Sequence, residues 1–592
     1  MAFAQLYFRP LACAFFFKTA SAAPVETTSW TPGPDGRGTF QLLTSCVLTL
    51  TICVWSALHL NVPIQDSTLR QRNIRRAKWI LLGIFAPELV VSTAFAQYLT
   101  ARWLYREIQK DIEFHRSGLA STAAATEGQL EGWSITQCFF AVMGGIVVHT
   151  GPAFEGRPRL TLTAEGVRLL SFLGRRPSVH EGQIRDKSKA DGLAKSIVCI
   201  QAGWMILQIL GRLIEQLPVT LLEINTIGHV LCALVLYLLW WNKPLEVSDP
   251  TVLSYEEWMQ PFLSIMWMCS PISESDGVTE MRCMTYVSPE ERRNSVPAPS
   301  APDSEEDASR AARPHHTHFS IGSLAIRDPT SFIGPVDDIR HSALDRTHSQ
   351  LDHHVSYMIS EKPLQTAPEH LYFLEHQTPD TPLRHSLQYC RRSYPDCPTH
   401  TPLPPAALAR WHLANTLTDA LWLHCQHRPS YEPFYFTSSS LGRFVGETRY
   451  LGSHTPNFAG LSYLGHVNIA RDRLKAVLAF AAAAYGALHV AAWREFFPSR
   501  VERVLWIASA LVIAASGVGV WLFFLAKEAV GRLEAWVVGW RARSGVRGAG
   551  RVVLALFVLA RVYLVVEAFA SLREVPVAVY VTPEWTDLLP HL

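Results

Sequence analysis

Apolar residues in this chain are gathered into blocks long enough to cross a lipid bilayer. Residues 504–526 contain no charged side chain, and residues 219–241 contain only Glu223. A helix that crosses a bilayer needs about 20 mostly apolar residues. The pattern therefore predicts an all-α fold, a polytopic bundle of transmembrane helices.

Eight segments match such a helix. They are residues 41–60, 79–99, 134–150, 196–214, 219–241, 476–493, 504–526 and 552–570. The third segment is short, contains Gly144 and Gly145 and ends near His149. The alternative for this segment is a re-entrant or interfacial position, which would leave seven spans.

The distribution of positive charge favours a crossing by the third segment, because Lys and Arg are enriched in short cytoplasmic loops. With the mature N-terminus outside and eight crossings, the inside loops 64–78, 151–192 and 527–551 contain 19 Lys and Arg residues, and the outside loops contain nine. Without the third crossing, two of these three inside loops would move outside. We therefore expect eight spans.

A long polar insertion at 246–470 separates a first membrane half, 24–245, from a second half, 471–592. The insertion is rich in Pro, Ser, Thr, Asp and His, and its few apolar residues cannot offset the entropy of ordering the chain. We expect it to be cytoplasmic and largely disordered. Local order is expected at 406–422, where the pattern predicts an amphipathic helix, and near 431–436.

Residues 1–23 have the features of a secretory signal peptide. Arg9 precedes a short apolar run, and residues 20–23, Ala-Ser-Ala-Ala, resemble a cleavage site. The alternative is a leader that is disordered or lies on the membrane surface. A signal peptide predicts a membrane of the secretory pathway, either the plasma membrane or an endomembrane.

The sequence has no signature of a nucleic-acid-binding protein, a metalloprotein or a common enzyme class. The net charge is only +2, and the basic residues lie in short loops. Most of the 23 histidines lie in the insertion without the closed spacing of zinc ligands, which favours a solvated tract. No phosphate loop, nucleophile elbow or HExxH motif occurs. We expect no cofactor, no metal and no nucleic acid, and we expect the bilayer and cytosolic proteins as partners.

Polar side chains inside the predicted spans are the strongest functional signal, because a charge at bilayer depth is costly and usually faces the bundle interior. Four of them lie 7, 4 and 3 residues apart in the fourth span and share one helix face: Gln201, Gln208, Arg212 and Glu215. This face could line a polar cavity, but hydrogen bonding between helices is the commoner use.

The fifth span begins after a tight turn and contains Glu223, Asn225 and His229. Arg212 and Glu223 lie at similar distances from this turn on the two helices that it joins. Each would otherwise be an unpaired charge in the apolar layer. We therefore predict an ion pair between Arg212 and Glu223.

Arg561 lies in the middle of the eighth span, too far from either surface for its side chain to reach water easily. It needs a carboxylate, backbone carbonyls or a wet cavity. Glu88 lies at a similar depth in the second span, whereas Glu215, Glu223 and Glu567 are displaced toward the outer end. We predict a Glu88–Arg561 ion pair, either a structural clamp or a gate that opens when Glu88 is protonated.

Further polar residues lie where two spans meet the membrane surface. His59 and Asn61 end the first span, and Trp240, Trp241 and Lys243 end the fifth. Aromatic side chains followed by a lysine that extends toward the headgroups orient a helix in the bilayer. We interpret all five as interfacial residues, with a proton relay as the alternative for His59.

A set of short motifs resembles a family of fungal proteins. They are Arg37-Gly38-Thr39, Ser45-Cys46, Trp55, His59-x-Asn61-x-Pro63, Ala86-Pro87-Glu88, Ala141-Val142-Met143-Gly144-Gly145, Asp186-Lys187-Ser188-Lys189-Ala190-Asp191, Trp240-Trp241-x-Lys243-Pro244-Leu245, Glu567 and Ser571-Leu572-Arg573. Over roughly 30–250 and 465–592, the chain resembles functionally uncharacterised multi-pass membrane proteins of filamentous fungi and mushrooms. The resemblance implies an integral membrane protein and supplies no activity, cofactor or catalytic residue.

Three hypotheses for the function follow. A sensor or scaffold would use the insertion as a binding and phosphorylation platform. A transporter or channel would use the intramembrane polar residues as a pathway. A lipid-modifying enzyme would need a polar cluster at the interface, for which His59 and Asp186 are weak candidates, so we rank it third.

Overall fold

The computed structural model describes the bundle and the segments that adjoin it. The described residues are 26–33, 37–64, 67–116, 132–151, 154, 157–172, 174–188, 191–254, 256–273, 284–287, 371–372, 386–390, 406, 409–410, 413–414, 450–458, 468–531 and 540–583. The expected signal peptide at 1–23 and most of the insertion, including 431–436, lie outside these residues.

Helices dominate the described part of the chain. The α-helices are α1 (Thr39–Ala57), α2 (Leu69–Phe85), α3 (Pro87–Arg116), α4 (Ile135–Val142), α5 (Ala164–Phe172), α6 (Glu181–Asp186), α7 (Asp191–Ile214), α8 (Leu221–Trp240), α9 (Gln260–Cys269), α10 (Asn468–Val490), α11 (Arg500–Gly531) and α12 (Trp540–Ala570). Six of them, α1, α7, α8, α10, α11 and α12, are long and apolar enough to cross a membrane. These six coincide with the predicted spans 41–60, 196–214, 219–241, 476–493, 504–526 and 552–570.

Short strands are also present, so the fold is mostly helical rather than all-α. They are β1 (Thr27–Thr28), β2 (Ile146–His149), β3 (Arg159–Leu162), β4 (Thr251–Leu253), β5 (Met284–Val287), β6 (Leu371–Tyr372), β7 (Ser386–Cys390), β8 (Leu451–Gly452) and β9 (Val575–Pro576). Their sheet orders are β1-β9, β4-β2-β3-β8 and β5-β7-β6. In the four-stranded sheet, β3 is antiparallel to β2 and β8, and β4 is parallel to β2.

The predicted span at 134–150 belongs to this four-stranded sheet. Ser134 caps α4, which has only eight residues. Gly144 follows it with φ +80°, a conformation that glycine adopts readily. The next apolar residues then pair as β2 between β3 and β4. A short apolar run fits a buried strand as well as a membrane helix, and the predicted crossing is wrong.

The six long helices run between two ends of the bundle. At one end, which we call the termini end, β1 pairs with β9, and Thr39 Oγ1 lies 2.7 Å from Tyr580 Oη. At the other end, which we call the sheet end, Val62 N donates to Met143 O over 3.0 Å. The four-stranded sheet and both of its connections to the insertion lie at the sheet end.

The predicted span at 79–99 is broken rather than continuous. α2 and α3 meet with a bend of 113°, because Pro87 has no N–H group and cannot continue the preceding helix. The bend lies in the middle of the bundle, where Ile84 O is 2.9 Å from Nε2 of His229, near the midpoint of α8.

Both outer ends of α2 and α3 lie at the sheet end. Near the start of α2, Arg75 donates to the carbonyl oxygen of Asn61, just beyond α1. On α3, Gln97 Nε2 donates over 2.8 Å to the carbonyl oxygen of Asn457, which follows β8. The two helices enter and leave the bundle at the same end, and we call them the re-entrant pair. The continuous helix predicted at 79–99 is therefore not observed.

The sheet is attached to the outer part of α3 by buried charges. Arg168 on α5 forms ion pairs with Asp111 and Glu107 on α3. The described residues of the helix predicted at 406–422 are all helical. From that helix, the guanidinium of Arg410 lies 5.1 Å from the ring centroid of Trp267 on α9, so this part of the insertion packs against the sheet region.

The close packing of α10 against α11 provides a stability test. A Cβ added at Gly517 would lie 2.6 Å from Ala479 O, so Gly517→Ala must push the helices apart, which typically costs about 1–3 kcal/mol. At Gly519, an added Cβ meets no atom within 4 Å, and Gly519→Ala is the matched control. We expect only Gly517→Ala to lower the thermal unfolding midpoint of the purified full-length protein. Equal midpoints would contradict this packing.

Candidate functional site

An ion pair lies at the bend of the re-entrant pair. Glu88, in the first turn of α3, pairs with Arg561 of α12, and both side chains are buried. The guanidinium of Arg561 also lies 4.1 Å from the ring centroid of Tyr485 on α10. The predicted pairing is confirmed, and it joins the re-entrant pair to α10 and α12.

Two histidines lie beside this ion pair. His229 has Nδ1 2.9 Å from Asn225 O and Nε2 2.9 Å from Ile84 O, and His489 has Nδ1 2.9 Å from Tyr485 O. A neutral imidazole carries one N–H group, so it can donate to only one of the two carbonyls that face His229. Nδ1 of His229 also lies 3.4 Å from Tyr485 Oη, so the ring belongs to one hydrogen-bonded group with Tyr485. We define the mid-bundle cluster as Glu88, His229, Tyr485, His489 and Arg561.

A buried lysine lies just beyond the sheet end of α8. Lys243 Nζ donates to the carbonyl oxygen of His59, to Asn61 Oδ1 over 2.9 Å and to Gln97 Oε1 over 2.7 Å. These acceptors match the three N–H donors of an ammonium group. Lys243 is only 1% exposed, so the expectation that it extends to the membrane surface is wrong. The fold supplies acceptors for it inside the protein.

The surroundings of Lys243 oppose its charge. Burial lowers the pKa of Lys243 well below its usual range, and repulsion from Arg75 lowers it further. Among the described residues, the hydrogen-bond acceptors of its Nζ are carbonyl and amide oxygens. The ammonium form therefore depends on these hydrogen bonds.

The aromatic residues expected at the membrane surface have different surroundings. Trp240 is buried, and its Nε1 donates to Gln97 Oε1 over 3.1 Å, whereas Trp241 is 56% exposed. The ring of His59 is buried 5.6 Å from that of Trp240. Trp241 is thus exposed on the surface of the bundle, whereas His59, Asn61, Trp240 and Lys243 are buried inside the protein.

A residue near the end of the insertion completes this polar group. Asn457 Oδ1 accepts a hydrogen bond from Asn61 N over 2.6 Å, and Asn457 O accepts one from Gln97 Nε2 over 2.8 Å. The segment that ends the insertion thus contacts both side chains that hold Lys243. We define the sheet-end cluster as His59, Asn61, Gln97, Lys243 and Asn457.

A small cavity adjoins the sheet-end cluster. Its volume is about 30 Å³, enough for about two water molecules. Asn61, Gln97 and Asn457 line it together with Glu165 and Thr455. Within the described structure, Glu165 Oε2 and Thr455 Oγ1 are buried without a hydrogen-bond partner. Buried oxygens of this kind usually bind ordered water or an ion.

The polar stripe predicted on α7 is divided among different surroundings. Gln201 Nε2 donates to Thr49 Oγ1 of α1 over 2.8 Å, which is the hydrogen bonding between helices that we preferred. Gln208 is half-buried, Glu215 is exposed and Arg212 is buried. The four side chains therefore do not form one continuous polar surface.

The predicted ion pair between Arg212 and Glu223 is wrong. Glu223 pairs with Arg37, and Arg212 Nη2 donates over 2.9 Å to the carbonyl oxygens of Pro218 and Val579. The second acceptor lies in the C-terminal segment. The positions of Arg212 and Glu223 on α7 and α8 could not predict this partner. The other outer acid is buried near the termini end of α12, at Glu567.

Comparison with known proteins places the chain in a family. The profile of a family of unknown function, DUF8562, matches residues 11–592. The chain belongs to this family. No curated protein and no solved structure matches it. The DUF8562 match runs through both halves of the bundle and the insertion between them.

Sequence reasoning missed six residues of these sites, which are Gln97, Glu165, Thr455, Asn457, Tyr485 and His489. Gln97 could have been noticed as a polar side chain within a predicted span. Glu165 and Asn457 lie in polar segments, where nothing in the sequence distinguishes them from solvated residues. Within the part of the chain that the structure describes, no group of three His, Cys, Asp or Glu side chains could hold a metal ion.

The mid-bundle ion pair allows a double-mutant test. Glu88→Gln or Arg561→Gln alone leaves a buried charge without its partner, which typically costs about 3–5 kcal/mol. The double variant should therefore be more stable than the sum of the two losses predicts, measured by denaturant or thermal unfolding. The more exposed pair Glu502–Arg573 is the matched control, because such pairs contribute about 0–1 kcal/mol. Additive losses at Glu88 and Arg561 would contradict the pairing.

Glu165 should make the stability depend on pH. Burial raises its pKa from the ordinary 4.5 to about 7, so between these values the folded protein binds a proton that the unfolded chain does not. Stability must then fall as the pH rises through this range. Glu165→Gln should flatten the dependence of the thermal midpoint between about pH 5 and pH 8. Glu215→Gln, on an exposed carboxylate, should keep the slope of the parent, and an unchanged slope in Glu165→Gln would contradict the burial.

Proposed function

We propose that the chain is an integral membrane protein with six crossings, the termini end outside and the sheet end in the cytoplasm. Six sufficiently apolar helices support the crossings. Because the re-entrant pair returns to the sheet end, residues 102–116 join the other basic segments there, which gives 23 Lys and Arg residues against five at the termini end. This asymmetry agrees better with the preference of positive charge for the cytoplasm than the eight-span arrangement does.

Within this orientation we propose a sensor, in which the state of the cytoplasmic insertion is transmitted to the bundle. The observation that carries the proposal is the contact of Asn457 with Asn61 and Gln97. These two side chains also hold the ammonium group of Lys243. A signal that moves the end of the insertion therefore acts directly on a buried charge.

The four-stranded sheet provides the insertion with a common base. β4 lies near the start of the insertion and β8 lies near its end, about 200 residues later, and both belong to the same sheet. A protein partner that binds the insertion, or a phosphate added to its many Ser and Thr residues, changes the forces on these two strands. The sheet transmits such a change to Asn457, five residues after β8.

α3 connects the two polar clusters. Glu88 and Gln97 lie on this one helix, about 13 Å apart along its axis. A helix moves largely as a rigid unit, so loss of the contacts of Gln97 shifts the turn in which Glu88 pairs with Arg561. The re-entrant pair is thus the proposed path from the sheet end to the middle of the bundle.

A transporter or channel for protons or small ions is the second candidate, and the mid-bundle cluster favours it. A helix broken at mid-depth beside ionisable side chains is typical of transport sites. A cavity of about 20 Å³ adjoins the break and is lined by Pro87 and His229. It is large enough for about one water molecule, so conduction would require the bundle to open. We therefore rank transport below sensing.

Asn457→Ala tests the proposed coupling. Loss of the Oδ1 acceptor should loosen the sheet-end cluster and, through α3, the bend. In the full-length protein in lipid nanodiscs, we expect amide hydrogen exchange to rise roughly fivefold at 57–64 and 93–100, as for a hydrogen bond worth about 1 kcal/mol. A smaller rise is expected at 84–90.

The exposed residue Ser453, in the same segment, provides the matched control. Ser453→Ala should leave exchange in the bundle unchanged. A response to Asn457→Ala that is confined to 450–458 would contradict the coupling. Proton flux into vesicles that Glu88→Gln abolishes would instead favour the transport candidate.

A further inference from the structure

The first half of α2 concentrates positive charge at the sheet end. Its basic residues are Arg70, Arg72, Arg75, Arg76 and Lys78, and α2 contains no acidic residue. A capping box formed by Thr68 and Gln71 starts the helix. The charge is therefore carried on a helix with a defined beginning.

The bend places α2 obliquely to the bundle. The helix has 17 residues, and it is about 25 Å long at 1.5 Å per residue. With the bend of 113°, it advances only about 10 Å along the axis of α3. Gly83 is the one fully buried residue of α2, and one side of the helix is exposed. In the proposed orientation, the basic half lies at the level of the headgroups and the apolar half enters the lipid.

Some of the basic side chains hold α2 against the bundle. Arg75 donates to the carbonyl oxygen of Asn61. The guanidinium of Arg76 lies 3.9 Å from the ring centroid of Trp55 and pairs with Glu246. These contacts hold one side of α2 against the bundle, so the opposite side faces away from the bundle.

Arg70 and Lys78 lie on an exposed face of α2. They share this face with Ile74 and Leu81, which are 45% and 54% exposed, because spacings of four, four and three residues keep to one side of a helix. The ion pairs found among the described residues do not include Arg70 or Lys78. The face thus combines two cations with two apolar side chains.

We propose that this face binds the headgroup of an anionic phospholipid of the cytoplasmic leaflet. Arg70 and Lys78 contact the headgroup, and Ile74 and Leu81 contact the acyl chains. Clusters of four to eight basic residues beside a membrane helix are typical of such binding. A phospholipid presents a phosphate and hydrocarbon together, which fits this face better than a free phosphate does. The inference rests on the membrane orientation proposed above.

Lipid binding here would act on the same buried charge as the insertion. Arg75 lies between Arg70 and Lys78 on α2 and binds the backbone of Asn61. The side chain of Asn61 in turn accepts from Lys243. The lipid composition of the leaflet is therefore a second input to the sheet-end cluster.

The test titrates the purified full-length protein in detergent with fluorescent phosphatidylserine and, as an uncharged reference, fluorescent phosphatidylcholine. A basic side chain near an anionic lipid contributes about fivefold in affinity. Arg70→Gln combined with Lys78→Gln should therefore weaken phosphatidylserine binding about 25-fold and leave phosphatidylcholine binding unchanged. Arg494→Gln combined with Arg500→Gln removes two exposed arginines from the termini end and should keep the affinity of the parent.

Unchanged phosphatidylserine affinity in the Arg70 and Lys78 variant, or an equal loss in the control, overturns the inference. Complete displacement of the lipid by millimolar inorganic phosphate overturns it as well, since it would identify a site for free phosphate. The orientation is tested separately with Ser453→Cys in sealed right-side-out vesicles. Its labelling by an impermeant maleimide without permeabilisation would contradict the orientation and leave the detergent measurement of lipid binding standing.

Discussion

The break at Ala86 and Pro87 is the constraint on which the rest of the structure depends. An apolar segment of this length would cross a membrane as one helix, but the missing N–H of Pro87 ends α2, and the chain returns to the end from which it came. Because the chain returns to the sheet end, the sheet and the insertion also lie at that end. The break also places Glu88 in a first helical turn, where the helix dipole favours a carboxylate, beside Arg561.

Buried charges in the bundle are stabilised in two different ways. Glu88 and Arg561 compensate each other, whereas Lys243 is held by three neutral oxygen acceptors from two separate segments. A buried charge that lacks its partners is costly, so Lys243 responds to the loss of any acceptor. Asn457, which contacts both of these segments, is the residue through which the insertion can cause that loss. This dependence is the physical basis of the sensing that we propose.

The segments 79–99 and 134–150 show how far apolar runs and charge counts can predict membrane spans. An apolar run at 134–150 is compatible with a membrane helix or a buried strand, and pairing with β4, about 100 residues later, selects the strand. A charge count depends only on the side on which each loop lies. Because the re-entrant pair returns to the sheet end and 134–150 joins the sheet, the insertion lies at the same end as it would with eight crossings. The predicted side of the insertion was therefore insensitive to the number of spans.

The sequence by itself determined the six long helices and the matched depth of Glu88 and Arg561, because hydrophobic length and helical rise are local properties of the chain. Only the tertiary structure decided the partners of Lys243, Arg212 and Asn457. Several of those partners are backbone carbonyls, which every residue carries, and the others are side-chain amides far away along the chain. The sequence does not show which carbonyl and amide oxygens remain available as hydrogen-bond acceptors, because that depends on which segments pack together.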